Sequence, residues 1–214
     1  MRLFCFPFAG GNAFTYRTWS NIFPNHVEVC PVNLPGRAMR IGETGFTDLH
    51  KLTEVIVGEM REFLDRPFAI FGYSMGAIIG FEISRLLQKY DIFPQHLFVA
   101  ASRPPQLASR NPIIHNLPTD EFIDEVLKLN GTPKEFLENK ELFELMLPLL
   151  RTDFELIETY KYVEGQKLKC PIFAFGGDED EEVSEVELIQ WAEQTQAAFG
   201  HRILQGNHFF INSK

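Results

Sequence analysis

The chain has 214 residues, of which 45% are hydrophobic and 23% charged, with 21 Phe and a formal net charge of −9. This length and composition describe one compact domain with a substantial core and exclude a disordered chain. The acidic balance, with no basic stripe, excludes a nucleic-acid partner; the three scattered cysteines, Cys5, Cys30 and Cys170, outline neither a disulfide framework nor a zinc site, and reduced, mostly buried thiols are expected.

Residues 3–8 form an apolar, Phe-rich run, which predicts a buried strand leading into the loop Ala9-Gly10-Gly11. The run is too short for a secretory signal, and no apolar stretch nears the roughly 20 residues of a membrane span, so the cytoplasm is the expected location. A second strand is predicted over 27–32, a helix over 49–64, a strand over 68–71, a helix over 77–89 and a strand over 97–100. From about 104 to 165 the strand pattern stops, and helical patterns begin near Thr119, Pro133, Lys140 and Asp153. Thr119, ahead of Asp120 and Glu121, suits a helix start with acidic groups at the positive dipole end, and Phe122, Ile123, Val126 and Leu127 line one face. This block reads as a helical lid inserted in a single domain that spans 1–214. A strand over 172–175, a helix over 186–199 and a short run at 202–204 restore the alternation. Such alternation predicts an α/β fold, a mostly parallel sheet with helices on both faces.

The sharpest signal is Gly72-Tyr73-Ser74-Met75-Gly76, placed between a predicted strand and a predicted helix. This is the context of a nucleophile elbow in the α/β-hydrolase fold: a serine on a strained turn needs small neighbours two residues before and after it, and glycine meets that need. The helix N-terminus behind Ser74 favours negative charge on an attacked carbonyl oxygen. A nucleophilic serine needs a base, and in this fold the acid and the histidine follow it in the chain. Of the six histidines only His201 and His208 lie beyond the last strand that could carry the acid. His208 sits in the small-residue turn Gly206-Asn207-His208 and is the candidate base, whereas His201 begins a strand-like run and is expected to face solvent.

The acid is sought in Gly177-Asp178-Glu179-Asp180-Glu181-Glu182-Val183, where five carboxylates in a row complicate the choice. The spacing Gly177-x-x-Asp180-x-x-Val183 favours Asp180, with Asp178 as the alternative. Its task is to hold the His208 tautomer and stabilise the imidazolium. The two oxyanion donors are expected to be the backbone N–H groups of Ala9, in the loop after the first strand, and Met75, directly after the nucleophile.

Beyond the elbow, Phe6-Pro7-Phe8-Ala9-Gly10-Gly11, Leu34-Pro35-Gly36-Arg37, Asp65-Arg66-Pro67-Phe68, Ser102-Arg103-Pro104-Pro105, Leu117-Pro118-Thr119-Asp120-Glu121-Phe122, Gly131-Thr132-Pro133 and Leu147-Pro148-Leu149-Leu150-Arg151-Thr152-Asp153-Phe154 make the chain resemble one group. It is similar from Leu3 to Phe210 to the type II thioesterases that accompany nonribosomal peptide and polyketide synthetases. The resemblance implies hydrolysis of acyl or aminoacyl groups wrongly loaded on the 4′-phosphopantetheine arm of a carrier domain, with no cofactor of the enzyme's own. It carries over Ser74 as nucleophile, His208 as base, Asp180 as acid and Ala9 and Met75 as oxyanion donors, with a lid that shields an acyl-serine intermediate. Two positions depart from the group. Phe8 stands where many members have His, and members usually continue past the histidine into a further helix on the sheet, whereas this sequence has six residues after His208.

An acidic carrier gains nothing from overall steering by a chain of net charge −9, so docking is expected to use Arg103, Arg110 or Lys128 with apolar lid residues, in a weak, transient complex with a monomer. Two rival readings share these residues. One is a carboxylesterase, lipase or medium-chain fatty-acyl thioesterase acting on free substrates; the other is an inactive hydrolase-like binding protein.

Overall fold

A computed structural model describes residues 1–129 and 140–212, with the side chains of 140–143 outside the description. Six strands form one sheet: β1 (Arg2–Phe6), β2 (Glu28–Pro31), β3 (Phe68–Tyr73), β4 (Leu97–Ala100), β5 (Ile172–Gly177) and β6 (Phe199–Leu204). Their spatial order is β2-β1-β3-β4-β5-β6, and every neighbouring pair is parallel. The chain leaves β1 toward β2 on one side and returns to β3 on the other, so the strand order reverses between β1 and β3. Crevices at the carboxyl ends of such a pair are where open α/β sheets bind ligands. In the register of that pair Phe6 lies opposite Gly72.

Alternate residues of each strand serve opposite faces, as the pleat requires. Phe4 and Phe6 of β1, Ile70 of β3, Val99 of β4 and Ala174 of β5 pack with the apolar sides of α1 (Leu49–Met60) and α2 (Met75–Gln88), together with Trp191. Leu3, Cys5, Phe71 and Tyr73 point the other way, against Tyr16, Trp19 and Phe210, which short 3-10 helices at Ala13–Tyr16, Trp19–Asn21 and Phe210–Asn212 supply. The helix α1 starts where Asp48 accepts from the amides of His50 and Lys51, satisfying two of the donors that a helix start leaves unpaired.

The 104–165 block contains α3 (Thr119–Lys128) and α4 (Lys140–Glu158). The patterns expected to begin near Lys140 and Asp153 belong to this one long helix, which runs through Pro148; the Thr152 hydroxyl donates to the Pro148 carbonyl at 2.9 Å. The pattern expected to begin at Pro133 lies outside the described residues. The helix expected over 186–199 is shorter and divided. A capping box between Ser184 and Glu187 starts α5 (Glu185–Leu188), and a 3-10 stretch, Ile189–Gln194, continues it. Thr195 ends it, because its backbone is extended and its hydroxyl donates to the carbonyls of Leu168 and Cys170 at 3.1 and 2.7 Å. Phe199 then belongs to β6, whose sixth residue is Leu204. Among the described residues no helix is long and apolar enough to cross a membrane.

Candidate active site

At the carboxyl end of β3 the backbone turns through Ser74, a non-glycine residue at φ 51° and ψ −116°. Such a conformation costs energy and persists only where the surroundings enforce it. Here they do: Ser74 N–H donates to the Ala100 carbonyl at 2.8 Å, and Ala77 N–H donates back to the Ser74 carbonyl at 2.9 Å. The flanking glycines are required by contact. A Cβ on Gly72 would lie 2.1 Å from the Gly76 carbonyl oxygen, and a Cβ on Gly76 would lie 2.2 Å from that of Phe6.

Above the turn, His208 Nε2 lies 3.1 Å from Ser74 Oγ. The other ring nitrogen, Nδ1, lies 3.1 and 3.0 Å from the two carboxylate oxygens of Asp180. The Asp180 side chain is fully buried, and its Oδ1 also accepts from the amides of Glu182 and Val183 at 2.9 and 3.2 Å. Serine, histidine and aspartate thus form one continuous chain of hydrogen-bonding groups, able to take a proton from Oγ and to stabilise the imidazolium that results. Asp178 is placed differently. Its Oδ1 accepts from Gly206 N–H at 2.8 Å, and Asp178 N–H and Glu179 N–H donate to the carbonyls of Leu204 and Gly206, so it ties down the loop that carries the histidine without reaching the ring. His201 is exposed on β6 and faces Glu185, with Nε2 at 3.0 Å from Oε1.

Tyr73, which in the sequence is only the residue before the nucleophile, supports the histidine turn. Its hydroxyl donates to the His208 carbonyl at 2.7 Å and accepts from Ile211 N–H, which pins the turn from below. Burial pushes its phenol well above the ordinary range, so it remains a donor. The His208 ring stands edge-on to Tyr73 and Phe209.

Ala9 and Met75 follow the adjacent strands β1 and β3, and neither amide donates to another described group. The two amides after Ala9 are committed: Gly11 N–H donates to the Phe8 carbonyl at 2.9 Å, and Gly10 N–H donates to Asp153 Oδ2 at 2.7 Å. Two unpaired N–H groups, one of them at the start of α2, form a candidate oxyanion hole. The serine and histidine open into a cavity of about 1050 Å³, whose walls include Met75 and Ile78 of α2, Phe154 of α4, and Tyr160. Lys128 and Arg103 are also at this cavity. The three cations expected to meet a partner all have intramolecular partners: Arg103 and Arg110 both pair with Glu187, and Lys128 pairs with Glu125. Among the described residues no group of three or more His, Cys, Asp or Glu side chains could hold a metal ion.

The sequence profile described as Thioesterase domain matches residues 1–214. This chain belongs to the thioesterase family. The thioesterase is 41% identical to the gramicidin S biosynthesis protein GrsT of Aneurinibacillus migulanus over 212 residues, covering 99% of this chain and 83% of that one. It is 31% identical to the medium-chain S-acyl fatty acid synthase thioesterase of Rattus norvegicus, covering 98% of this chain and 81% of the other. Among solved structures, the thioesterase superposes on RedJ, a thioesterase from the prodiginine biosynthetic pathway of Streptomyces coelicolor, with a TM-score of 0.94 at 33% identity, covering 100% of this chain and 85% of that one. The α/β-hydrolase fold and the thioesterase class expected from the sequence are borne out.

Proposed function

We propose that this thioesterase hydrolyses acyl and aminoacyl groups held as thioesters on the phosphopantetheine arm of carrier domains, clearing misloaded units from a nonribosomal peptide or polyketide synthetase. The observation that carries the reading is the contact of His208 with Ser74 Oγ on one side and Asp180 on the other. The similarity to GrsT and RedJ, whose names place them in biosynthetic pathways, supports the choice of substrate.

In this reaction Ser74 Oγ attacks the thioester carbon while its proton passes to His208 Nε2. The Ala9 and Met75 amides hold the resulting oxyanion. Collapse breaks the C–S bond, the pantetheine thiol leaves with the proton from His208, and an acyl-serine remains. Water then attacks that ester with His208 again as base, releasing a carboxylic acid and restoring Ser74. A thioester is activated enough that no cofactor is needed. Residues 104–165 act as a lid on the single domain, shielding the acyl-serine and admitting the arm. Carrier domains dock transiently on a cytoplasmic monomer.

The test is single-turnover release of an acetyl or aminoacyl group from a phosphopantetheinylated carrier, compared with Ser74→Ala. Release by the wild type and none by the variant is expected. The similarity to the rat enzyme supports a second reading, hydrolysis of medium-chain fatty-acyl thioesters; faster turnover of free acyl-CoA than of the loaded carrier would replace the first reading with that one.

A further inference from the structure

Two buried charges lie behind the loop that follows β1 and take no part in the steps above. Arg37 and Asp153 are 4% and 1% exposed and stand 116 residues apart in the chain. They meet side by side: Arg37 Nη2 donates to Asp153 Oδ1 at 2.6 Å, and Nη1 donates to Oδ2 at 2.9 Å. Both also hold the same loop. Asp153 accepts from Gly10 N–H at 2.7 Å, and Arg37 Nη1 donates to the Gly11 carbonyl at 2.9 Å. Burial pushes the Asp153 carboxyl above its ordinary pKa, against the pull of Arg37 and Gly10.

A buried ion pair is a poor way to gain stability, because apolar residues of similar volume pack as well without desolvating two charges. What apolar residues cannot do is fix the direction of a peptide group. The turn Phe8-Ala9-Gly10-Gly11 is closed by the Gly11 N–H bond to Phe8, with Gly10 in third position at φ 75°, as a type II turn demands. Type I and type II turns differ by reversal of the central peptide, and it is the N–H of that peptide, between Ala9 and Gly10, that Asp153 holds. The same helix touches the loop again, since a Cβ on Gly10 would lie 2.6 Å from Leu150 Cδ2.

We propose that Arg37 and Asp153 are positioning residues that fix the turn from its Gly10 and Gly11 end, and so hold the preceding Phe8–Ala9 peptide with its Ala9 N–H aimed at the oxyanion, and make that aim depend on where α4 sits. The proposal rests on the roles given above to Ser74, His208 and the two amides. Leu150, Phe154 and Ile157 place α4 in the cavity wall, so an acyl group that fits leaves the helix, and with it the anchor, undisturbed. One that forces α4 outward draws Asp153 away from Gly10. Oversized acyl groups are therefore bound but turned over slowly, and selection is read in kcat rather than in KM.

The test uses the thioester of acetate with N-acetylcysteamine. Turnover by the wild type and none by Ser74→Ala is established first, so that failure of the underlying reading is seen before any variant is compared. The double variant Arg37→Met, Asp153→Leu replaces the pair with an apolar one. Its kcat is expected to fall about 10- to 100-fold with KM changed less than about threefold, and its affinity for a boronic acid that forms a tetrahedral adduct on Ser74 falls by the same factor. Asp153→Asn, which keeps an acceptor for Gly10, falls between. A folded double variant, or a folded Asp153→Asn if the double variant does not fold, with kcat within about twofold of the wild type overturns the proposal. The wild type supplies a measurement free of folding effects: across acyl groups of rising bulk, kcat falls while KM holds, and a rise in KM at constant kcat overturns it as well.

Discussion

Two neighbouring aspartates occupy different positions at the site, and their separation yields a direct prediction. Asp180 faces the imidazole, whereas Asp178 holds the Gly206 amide. Asp180→Asn is expected to lower kcat on the order of 10³–10⁴-fold, because the amide side chain favours the wrong tautomer of His208. Asp178→Ala is expected to lower kcat by no more than about tenfold, the kinetic equivalent of one lost hydrogen bond in a supporting loop. Steady-state kinetics on one acyl thioester checks both. Equal losses would mean that the imidazole draws on both carboxylates. The spacing from Gly177 to Val183 already favoured Asp180 in the sequence, and Ser74 and His208 were legible because each sits in a turn of small residues. The hydroxyl of Tyr73 beneath His208 was hidden, since Tyr73 reads as one more apolar residue of a buried strand. Arg37 and Asp153 were hidden for another reason: a contact across 116 residues leaves no local pattern.

At the scale of elements, the segment after β5 shows how side-chain chemistry overrides periodicity. Apolar spacing alone predicts a helix over 186–199. The Thr195 hydroxyl, bonded to two carbonyls near β5, instead bends the chain into β6 after three short turns. The Ser184–Glu187 box at the start of this segment carries charge as well as a cap, because Glu187 meets Arg103 and Arg110. Burial acts against the Glu187 carboxylate, but its bonds to Ser184 and the two arginines hold its pKa below the usual carboxylate value. A carboxylate depressed in the folded state stabilises it above the unfolded pKa and loses that contribution as pH falls through the folded one. Glu187→Gln keeps the box but removes the charge, and it is expected to cost up to about 1 kcal/mol near neutral pH. The difference from wild type should close below pH 4.5, the ordinary value for this group. Urea titrations at several pH values check this; a gap that stays constant would assign the loss to packing.

On the scale of the whole molecule, the two tryptophans report on opposite faces of the sheet, Trp191 beneath α2 and Trp19 against Phe71. If residues 1–214 act as one cooperative unit, fluorescence and far-UV circular dichroism give coincident urea transitions in both Trp19→Phe and Trp191→Phe. Transitions that separate in either variant would divide the chain into two units. The parallel order of the strands followed from their alternation with helices, but which strands are neighbours did not, because the reversal between β1 and β3 depends on packing far apart in the chain. That reversal sets a distance. With Phe6 opposite Gly72, Ala9 and Met75 each lie three residues beyond a paired position, so strand pairing sets where the two loops begin, and the Arg37–Asp153 pair then holds the turn that carries Ala9. A single-residue shift in 6–9 or 72–75 throws this placement off, and so does any change of length in 104–165 that moves Asp153 from Gly10. The helix that lines the cavity is thus the same one that steadies the loop after β1, so the shape of the pocket and the alignment beside Ser74 cannot drift independently.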